Sequence, residues 1–230
     1  MKRLVISHGQ HFLRGKTLIA ELVGHSNIRP KDTVLDIGAG SGAITSVLAC
    51  RAARVIAYEP EPAAAAKLRQ NTRRHHNIEV VQQDFLSAAL PDVSYKVFAN
   101  IPFSLSSKIV RKLVTAQPAP RSIYLIVQKQ FAQKLLIDGH HFHGALGMAI
   151  APWWVARIRR PLRKTDFTPP PAVDTVLFEL KPRPEPTLSH SDMTQFMAFV
   201  EGCYHDPAVY RAAGGDPNSR PSQLAPESWL

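Results

Sequence analysis

Four short stretches of the sequence combine residue types that could hold a nucleoside and act on an amine. They are Val34–Gly42, Tyr58-Glu59, Gln83-Asp84-Phe85 and Asn100-Ile101-Pro102-Phe103. Each ends or closely follows a run of β-forming apolar residues, and ligands of open α/β sheets bind beyond the carboxyl ends of the strands. We therefore expect one site, in which a glycine turn and two carboxylates hold a nucleoside cofactor beside a planar amine.

The first stretch carries glycines at alternate positions, Gly38, Gly40 and Gly42, directly after a predicted strand. Glycine lets the backbone turn sharply and lets a ligand approach it closely. Dinucleotide-binding folds use a similar turn, so the glycines alone do not identify the cofactor. The preceding Asp36 and the spacing of the acids that follow favour S-adenosylmethionine.

Two further acids lie at predicted strand ends. Glu59 ends the next strand, where a carboxylate can accept hydrogen bonds from both ribose hydroxyls of a nucleoside. Asp84 follows the third strand, where it can accept from the amino group of the cofactor's adenine. One such acid by itself is more often a solvated loop residue. Three acids in register, each at a strand end, favour a binding site.

The stretch Asn100-Ile101-Pro102-Phe103 suits methyl transfer to the exocyclic amine of an adenine. That amine is a poor nucleophile because its lone pair is delocalised into the ring. The side-chain carbonyl of Asn100 and the backbone carbonyl of Ile101 can accept its two hydrogens, which favours a pyramidal nitrogen. Pro102 rigidifies the turn. Phe103 offers a face on which a base removed from its helix can stack. The alternative is a plain Asn-x-Pro turn after a strand.

The elements that would position these residues alternate between strand and helix patterns. Predicted strands are Thr33–Ile37, Arg54–Tyr58, Ile78–Val81, Tyr95–Ala99 and Ser122–Val127. Predicted helices are 14–26, Ile44–Cys50, Pro62–Arg74, Ser104–Thr115 and Phe131–Ile137. This order predicts an α/β fold, a Rossmann-like parallel sheet with helices on both faces.

The pattern changes after about residue 150. Trp153–Ile158 and Val176–Leu180 are expected to pair as antiparallel strands at the edge of the sheet, with the tryptophans in the core. We predict a methyltransferase-type domain over residues 1–181. Residues 182–230 are predicted to be a proline-rich linker, one helix (Ser191–Tyr204) and a flexible tail, whose removal should leave the melting temperature nearly unchanged.

The overall charge points to a polyanionic partner. The net charge is +10 and the pI is near 9.9, which favours nucleic acid over other partners. The densest basic cluster is predicted to bind RNA phosphates and comprises Arg157, Arg159, Arg160, Arg163 and Lys164. The alternative for this cluster is a solvated edge.

Other sequence features exclude several classes of protein. Cys50 and Cys203 have neither zinc-like spacing nor the number needed for a disulfide framework; no metal site is expected. No stretch approaches the roughly 20 apolar residues of a membrane span. We expect a soluble, cytoplasmic, monomeric protein with no membrane partner.

Four motifs together resemble the ribosomal RNA adenine N6-methyltransferases, and specifically the erythromycin-resistance (Erm) branch. They are Gly9-Gln10-His11-Phe12-Leu13, Asp36–Gly42, Asn100-Ile101-Pro102-Phe103 and Phe167-Thr168-Pro169-Pro170-Pro171-Ala172-Val173-Asp174. The sister branch, which dimethylates adjacent adenines of small-subunit RNA, has Asn-Leu-Pro-Tyr where this chain has Asn-Ile-Pro-Phe.

The resemblance implies which residues contact S-adenosylmethionine: His11, Leu13, Gly38, Glu59, Asp84 and Asn100, with Gly40 in the same glycine turn. His11 departs from the family's usual Asn, although an imidazole still donates a hydrogen bond. Erm enzymes end in a compact domain of several helices, whereas one helix is predicted here. The helical appendage is therefore expected to be reduced.

The resemblance implies methylation at N6 of one adenine in large-subunit (23S) ribosomal RNA, and thereby resistance to macrolide-type antibiotics. The sequence leaves open whether one or two methyl groups are added. A small-subunit (16S) dimethyladenosine transferase is the nearest alternative. A non-catalytic RNA-binding factor on the same fold is the alternative from another class. The intact Asn-Ile-Pro-Phe motif and the three strand-end acids argue against that last alternative.

Overall fold

The computed structural model describes residues 11–137, 143–224 and 226–229. Gly9 and Gln10 of the N-terminal motif lie outside the described residues. The chain forms two compact units. The first contains the described residues within Met1–Lys129 and Ile158–Glu179, and the second those within Gln130–Arg157 and Leu180–Leu230.

The strands follow the apolar runs of the sequence. In chain order they are β1 (Phe12–Leu13), β2 (Thr33–Ile37), β3 (Arg54–Tyr58), β4 (Ile78–Val81), β5 (Tyr95–Asn100), β6 (Ile123–Gln128), β7 (Trp154–Leu162), β8 (Phe167–Thr168) and β9 (Thr175–Pro182). The helices are α1 (Lys16–Gly24), α2 (Ala43–Ala49), α3 (Pro62–Thr72), α4 (Ser106–Val114), α5 (Lys129–Leu135), α6 (Ala145–Ile150), α7 (Met193–His205) and α8 (Pro207–Ala212).

One seven-stranded sheet has the order β4-β3-β2-β5-β6-β9-β7. The pairs β2–β3, β3–β4, β2–β5 and β5–β6 are parallel, which confirms the predicted α/β fold class. From β2 the chain runs outwards through β3 to β4 and then returns to the other side of β2 as β5. The strand order thus reverses between β2 and β5, and the crevice that opens there is where open α/β sheets bind their ligands.

The central strands β2, β5 and β6 are buried along almost their whole length, as expected of parallel strands that are covered on both faces. Leu22 of α1 and Leu48 of α2 pack in one cluster with Val34, Phe98 and Tyr124 of the sheet. The rings of Phe98 and Tyr124 stack with centroids 6.2 Å apart. This packing holds the strand ends, and the loops that follow them, in fixed positions.

The strands predicted for the edge are present, and both are longer than predicted. β7 extends to Leu162 and β9 covers Thr175–Pro182, and the two strands are neighbours in the sheet. Trp153 and Trp154 are 1% and 4% exposed, which confirms that both tryptophans are core residues.

Two short strands join the N-terminal motif to the proline-rich motif. β1 pairs antiparallel with β8, with Phe12 opposite Thr168 and Leu13 opposite Phe167. The backbone N–H of Arg14 extends this pairing by donating to the carbonyl of Asp166, 2.8 Å away. Two motifs more than 150 residues apart in the chain thus form one local structure.

The second unit consists mainly of helices. Its bounds differ from those predicted from sequence, where a single boundary followed residue 181. It contains α5, α6, α7 and α8, so residues 130–157 belong with the C-terminal part of the chain. A Cβ at Gly147 of α6 would lie 2.4 Å from the carbonyl oxygen of Lys134 in α5. The close approach of α5 and α6 therefore requires glycine at position 147. Nothing in the sequence around Gly147 indicates this contact.

The structure contains a helix, α8, where the sequence analysis predicts a flexible tail. Asp206 caps α8 by accepting from the N–H of Ala208 at 2.7 Å, and Pro207 occupies its first turn. Tyr210 is 5% exposed, and its hydroxyl lies 2.7 Å from that of Ser219. With one buried anchor in six residues, α8 has no apolar periodicity to reveal it.

Among the described residues, the longest helix has 13 residues, and none is long and apolar enough to cross a membrane.

Candidate active site

A cavity of about 430 Å³ opens at the carboxyl ends of β2 and β5, where the strand order reverses. It brings together nine of the residues predicted from sequence: His11, Leu13, Gly38, Gly40, Glu59, Asn100, Ile101, Pro102 and Phe103. All of them belong to the first unit. Its volume lies in the range of about 300–1,000 Å³ that ligand pockets occupy.

The glycine turn is tied to the neighbouring strand. The backbone N–H groups of Gly38 and Ala39 both donate to the carbonyl of Tyr58, at 2.9 and 3.0 Å. Gly40 and Gly42 have φ values of +56° and +89°, in the region that side chains disfavour. A Cβ at Gly42 would lie 2.6 Å from the Leu68 side chain. The turn therefore requires glycine for its backbone geometry and for the close approach of α3.

The carboxylate of Glu59 is held by two backbone donors. Its Oε2 accepts from the N–H of Gly40 at 2.7 Å, and its Oε1 accepts from the N–H of Glu61 at 3.0 Å. The residue is 5% exposed and lines the cavity. Each oxygen has a second lone pair, so the oriented carboxylate of Glu59 can still accept from a pair of ligand hydroxyls.

Asp36 also lines the cavity and is 1% exposed. Its Oδ2 accepts from the hydroxyl of Thr45 at 2.6 Å, whereas Oδ1 is buried and has no hydrogen-bond partner among the described residues. Burial and the nearby charge of Glu59 raise the pKa of Asp36 to about 7. From sequence, Asp36 favoured S-adenosylmethionine as the cofactor, but no contact was predicted for its side chain. Its place beside the glycine turn was the available signal.

The side chain of Asn100 is oriented by a long-range hydrogen bond. Its Nδ2 donates to the backbone carbonyl of His11 at 2.6 Å. This anchors the amide by its donor end and leaves Oδ1 as the acceptor that the side chain presents. Asn100 and Ile101 both line the cavity, so two acceptors stand at the end of β5 as the sequence predicts.

His11 connects three of the sequence motifs. Its ring stacks on that of Phe103, with centroids 5.7 Å apart and planes 27° apart. Its Nδ1 lies 2.9 Å from the carbonyl of Pro169, a distance at which the N–H donates to that acceptor. The position thus contributes an aromatic face as well as the backbone acceptor that holds Asn100.

The structure adds cavity residues that sequence reasoning missed. Phe12 is 44% exposed and lines the cavity together with Thr168 and Pro169, which belong to or follow β8. Lys67 of α3 also lines it. For Phe12, Thr168 and Pro169 the only signal was their place in the two motifs Gly9–Leu13 and Phe167–Asp174, because nothing local indicates that β1 and β8 pair.

Asp84 is the one predicted cofactor residue that the cavity does not include among the described residues that line it. It is exposed, and its Oδ1 accepts from the N–H of Leu86 at 3.0 Å. Its assignment to the cofactor's adenine stays a prediction.

The predicted RNA-binding cluster lies on β7 and the turn that follows it. Side chains alternate along a strand, so Arg159 and Arg160 point to opposite faces. Arg159 forms an ion pair with Glu179 at 3.7 Å, and Arg160 forms one with Glu21.

The other three members of the cluster differ in their contacts. The ammonium of Lys164 donates to the carbonyl of Ala172 at 2.7 Å. Arg157 and Arg163 are exposed. Part of the cluster is therefore engaged with the protein itself, and its role in RNA binding stays a prediction.

The described residues contain no group of three or more His, Cys, Asp or Glu that could hold a metal ion.

Comparison with known proteins places this geometry in a family. Residues 1–206 match the model of the family "Ribosomal RNA adenine dimethylase". An rRNA adenine N-6-methyltransferase of Bacillus licheniformis is 30% identical over 201 residues, which cover 87% of this chain and 70% of that protein. A mitochondrial ribosomal RNA small subunit methyltransferase of Arabidopsis thaliana is 31% identical over 86% of this chain and 52% of its own length.

A solved structure agrees with these relatives over almost the whole chain. The 23S rRNA methyltransferase ErmE superposes with a TM-score of 0.78 and 29% identity, over 95% of this chain and 96% of the other. Both the sequence and the fold of this chain thus match RNA-modifying proteins. The chain belongs to the ribosomal RNA adenine dimethylase family.

Proposed function

We propose that this protein transfers a methyl group from S-adenosylmethionine to N6 of a specific adenine in 23S ribosomal RNA, and thereby confers resistance to macrolide-type antibiotics. The observation that carries the proposal is the hydrogen bond from Asn100 Nδ2 to the His11 carbonyl. It holds the amide of Asn100 by its donor end, on a residue that lines the cavity together with Ile101 and Glu59.

The residues of the cavity fit the proposed cofactor. S-adenosylmethionine supplies an activated methyl group on a sulfonium and carries an ammonium and a ribose. The unpartnered Oδ1 of Asp36 suits a cationic group, and a cation bound there would favour the ionised carboxylate against the burial that raises its pKa. Glu59 would accept from the ribose hydroxyls. The glycine turn lies close to Phe12, because a Cβ at Gly40 would lie 3.2 Å from the Phe12 ring.

The chain's part in the reaction is to orient the target amine. The Asn100 side-chain oxygen and the Ile101 carbonyl would accept its two hydrogens and direct the nitrogen lone pair towards the methyl group. Fixed acceptors of this kind cost no reorganisation during the reaction. A strong general base is not required, because the ammonium formed by transfer is acidic and can lose its proton to water.

The aromatic residues beside Asn100 would hold the base outside its helix. An adenine must leave the stack before its N6 can be reached, and flipped bases stack on aromatic side chains. The stacked rings of Phe103 and His11 form such a face, and the exposed Phe12 offers a second one. We propose that the substrate is naked or incompletely assembled RNA and that the enzyme acts as a cytoplasmic monomer.

One observation favours the large-subunit target: the motif Asn100-Ile101-Pro102-Phe103 resembles the Erm branch. The small-subunit alternative is supported by relatives such as the Arabidopsis protein, which is 31% identical. The two candidates predict label in different RNA molecules.

The test is methylation of purified, protein-free 23S and 16S RNA with radiolabelled S-adenosylmethionine, followed by mapping of reverse-transcription stops. We expect label in the 23S molecule at one adenine, and an Asn100→Ala variant should incorporate none. Label confined to 16S RNA would select the small-subunit reaction and contradict the resistance phenotype. Absence of S-adenosylmethionine binding in isothermal titration would instead favour a non-catalytic RNA-binding factor.

A further inference from the structure

The ammonium of Lys112 on α4 lies inside the turn that follows β4 and carries Asp84. Its Nζ donates to the backbone carbonyls of Phe85 at 2.7 Å and Leu86 at 3.0 Å, and also to that of Ala88. A lysine ammonium has three N–H donors. One turn therefore accounts for all three of them, which is unusual for a side chain that commonly extends into solvent.

The same turn is closed from within by Asp84. The Asp84 carbonyl accepts from the N–H groups of Ser87 and Ala88 at 3.1 and 3.0 Å, and its Oδ1 accepts from the N–H of Leu86. Burial lowers the pKa of Lys112, and the charge of Asp84 acts in the opposite direction. The lysine and the aspartate are thus coupled both through the backbone of the turn and electrostatically.

Phe85 connects the turn to the other carboxylate of the site. It is 4% exposed, and its ring meets that of Tyr58 edge-on with centroids 5.3 Å apart. The Lys112 ammonium lies 5.1 Å from the centroid of the Phe85 ring, within the range of a cation–π contact. Because Tyr58 directly precedes Glu59, this chain of contacts fixes the position of Asp84 relative to Glu59.

We propose that Lys112 is a positioning residue for the cofactor: it holds the turn so that the exposed carboxylate of Asp84 can recognise the amino group of the adenine ring. This inference rests on the proposed function, in which Asp84 contacts that ring. An exposed carboxylate on a short turn has many orientations, and the entropy of ordering it opposes binding. The Lys112 contacts restrict the turn before the ligand arrives.

The test compares two ligands on the full-length protein by isothermal titration. One is S-adenosylhomocysteine, the product of the proposed reaction. The other is S-inosylhomocysteine, in which a carbonyl replaces the amino group of the base. Wild type should bind the adenine form more tightly, by about tenfold or more, as expected for a lost hydrogen bond to a charged group.

Lys112→Met should lose most of this discrimination, with Lys112→Gln as a second variant if the first fails to fold. Methionine preserves the unbranched apolar stem but removes the ammonium, and with it the three hydrogen bonds and the cation–π contact with Phe85. Lys108→Met removes one charge from an exposed position on the same helix and should bind as wild type does. At saturating cofactor the turnover rate should stay near that of wild type, while KM for the cofactor rises.

A double-mutant cycle separates positioning from a general structural role. If Lys112 acts through Asp84, Lys112→Met should cost little more once Asp84→Asn is present, because contacts that act as a unit are not additive. Additive losses, or preserved discrimination in Lys112→Met, would overturn the inference while leaving the proposed function intact. Failure of wild type to bind either ligand would overturn both.

Discussion

At the scale of single residues, one hydrogen bond sets the orientation of the Asn100 amide. Asn100 could present either end of its amide to a ligand, and the two ends have opposite hydrogen-bonding character. The His11 carbonyl, 2.6 Å from Nδ2, selects the orientation in which the donor faces the protein. The backbone of His11 thus matters for orienting Asn100 whichever side chain occupies that position.

Asn100→Ala is expected to reduce methyl transfer at least a hundredfold without unfolding the protein. The residue is only partly buried, and one preorganised polar contact to a transition state typically contributes about two to three powers of ten in rate. Asn100→Asp is the matched variant, since it keeps an acceptor but cannot donate to the His11 carbonyl; we expect it to be inactive too. Initial rates with radiolabelled cofactor measure both. Retention of about a tenth of the wild-type rate or more by the alanine variant would contradict this role.

The raised pKa of Asp36 predicts how the stability of the protein depends on pH. Its pKa is raised from 3.8 to about 7 in the folded protein, so over that interval the folded state keeps a proton that the unfolded chain releases. The free energy of unfolding should therefore fall as the pH rises from about 4 to 7 and be level above that. Asp36→Asn removes this slope, and its melting temperature should exceed that of wild type by more at pH 8 than at pH 5.

Thermal melts at the two pH values measure the effect, with Asp92→Asn as the control because Asp92 is an exposed carboxylate. The Asp36→Asn variant should also bind S-adenosylmethionine less tightly, since it cannot become negative beside a cationic group. Equal gains in melting temperature at both pH values would show that Asp36 is ionised throughout and that its burial is compensated in some other way.

At the scale of elements, β7 shows how a strand divides a basic cluster. Sequence proximity suggested one phosphate-binding surface, but alternate residues of a strand face opposite ways, and two of the arginines form ion pairs with Glu21 and Glu179. By contrast, α3 and the turn after it carry Lys67, Arg69, Arg73 and Arg74 with no acid between residues 62 and 78. The net positive charge is thus not confined to β7.

Replacing Arg159 and Arg160 together by alanine is predicted to weaken RNA binding and to flatten its salt dependence, because phosphate contacts release counterions. Arg73→Ala with Arg74→Ala is the matched control, since it removes the same charge from the exposed end of α3. Filter binding across a salt series compares the slopes. Equal slopes for the two double variants would mean that charge alone, rather than the β7 surface, determines affinity.

At the scale of the whole molecule, the C-terminal residues pack onto α7. The ring of Trp229 meets those of Phe199 and Tyr204, with centroids 6.2 and 5.8 Å away, and Trp229 is 9% exposed. Tyr210 of α8 is buried as well. These contacts lie within the second unit, whereas the residues of the cavity belong to the first.

Truncation after Tyr204 is therefore expected to lower the melting temperature by several degrees, contrary to the expectation from sequence. It would expose the apolar faces of Phe199 and Tyr204, and each kcal/mol lost shifts the melting temperature by about 2–4 °C in a domain of this size. Affinity for S-adenosylmethionine should change little. Differential scanning calorimetry and titration on both forms test this, and an unchanged melting temperature would mean that the tail contributes no stability.

A shorter protein that ends at Lys181 also lacks α7. This truncation should lower the melting temperature more than truncation after Tyr204 does. Met197 and Val200 of α7 are buried, and Phe196 meets Trp153 edge-on at 5.7 Å. Loss of this helix would leave a large apolar surface uncovered. We expect low solubility as well as a lower melting temperature, and sedimentation of the purified protein would measure the first.

The sequence by itself determined the parts of this protein that depend on local patterns. Apolar runs of four to six residues defined β2 to β6, and their alternation with helix patterns implied a parallel sheet. A parallel sheet places all carboxyl ends at one edge, so the convergence of Gly38, Glu59 and Asn100 followed from chain order alone. Burial on both faces explains why these strands were so easily recognised.

Only the tertiary structure decided how those residues are oriented and coupled. The β1–β8 pairing, the Asn100–His11 hydrogen bond and the Lys112 contacts join positions 24 to 156 residues apart, and no local periodicity encodes them. The raised pKa of Asp36 likewise arises from burial by several elements at once. Local sequence sets which chemical groups reach the site, whereas long-range packing sets their direction and charge.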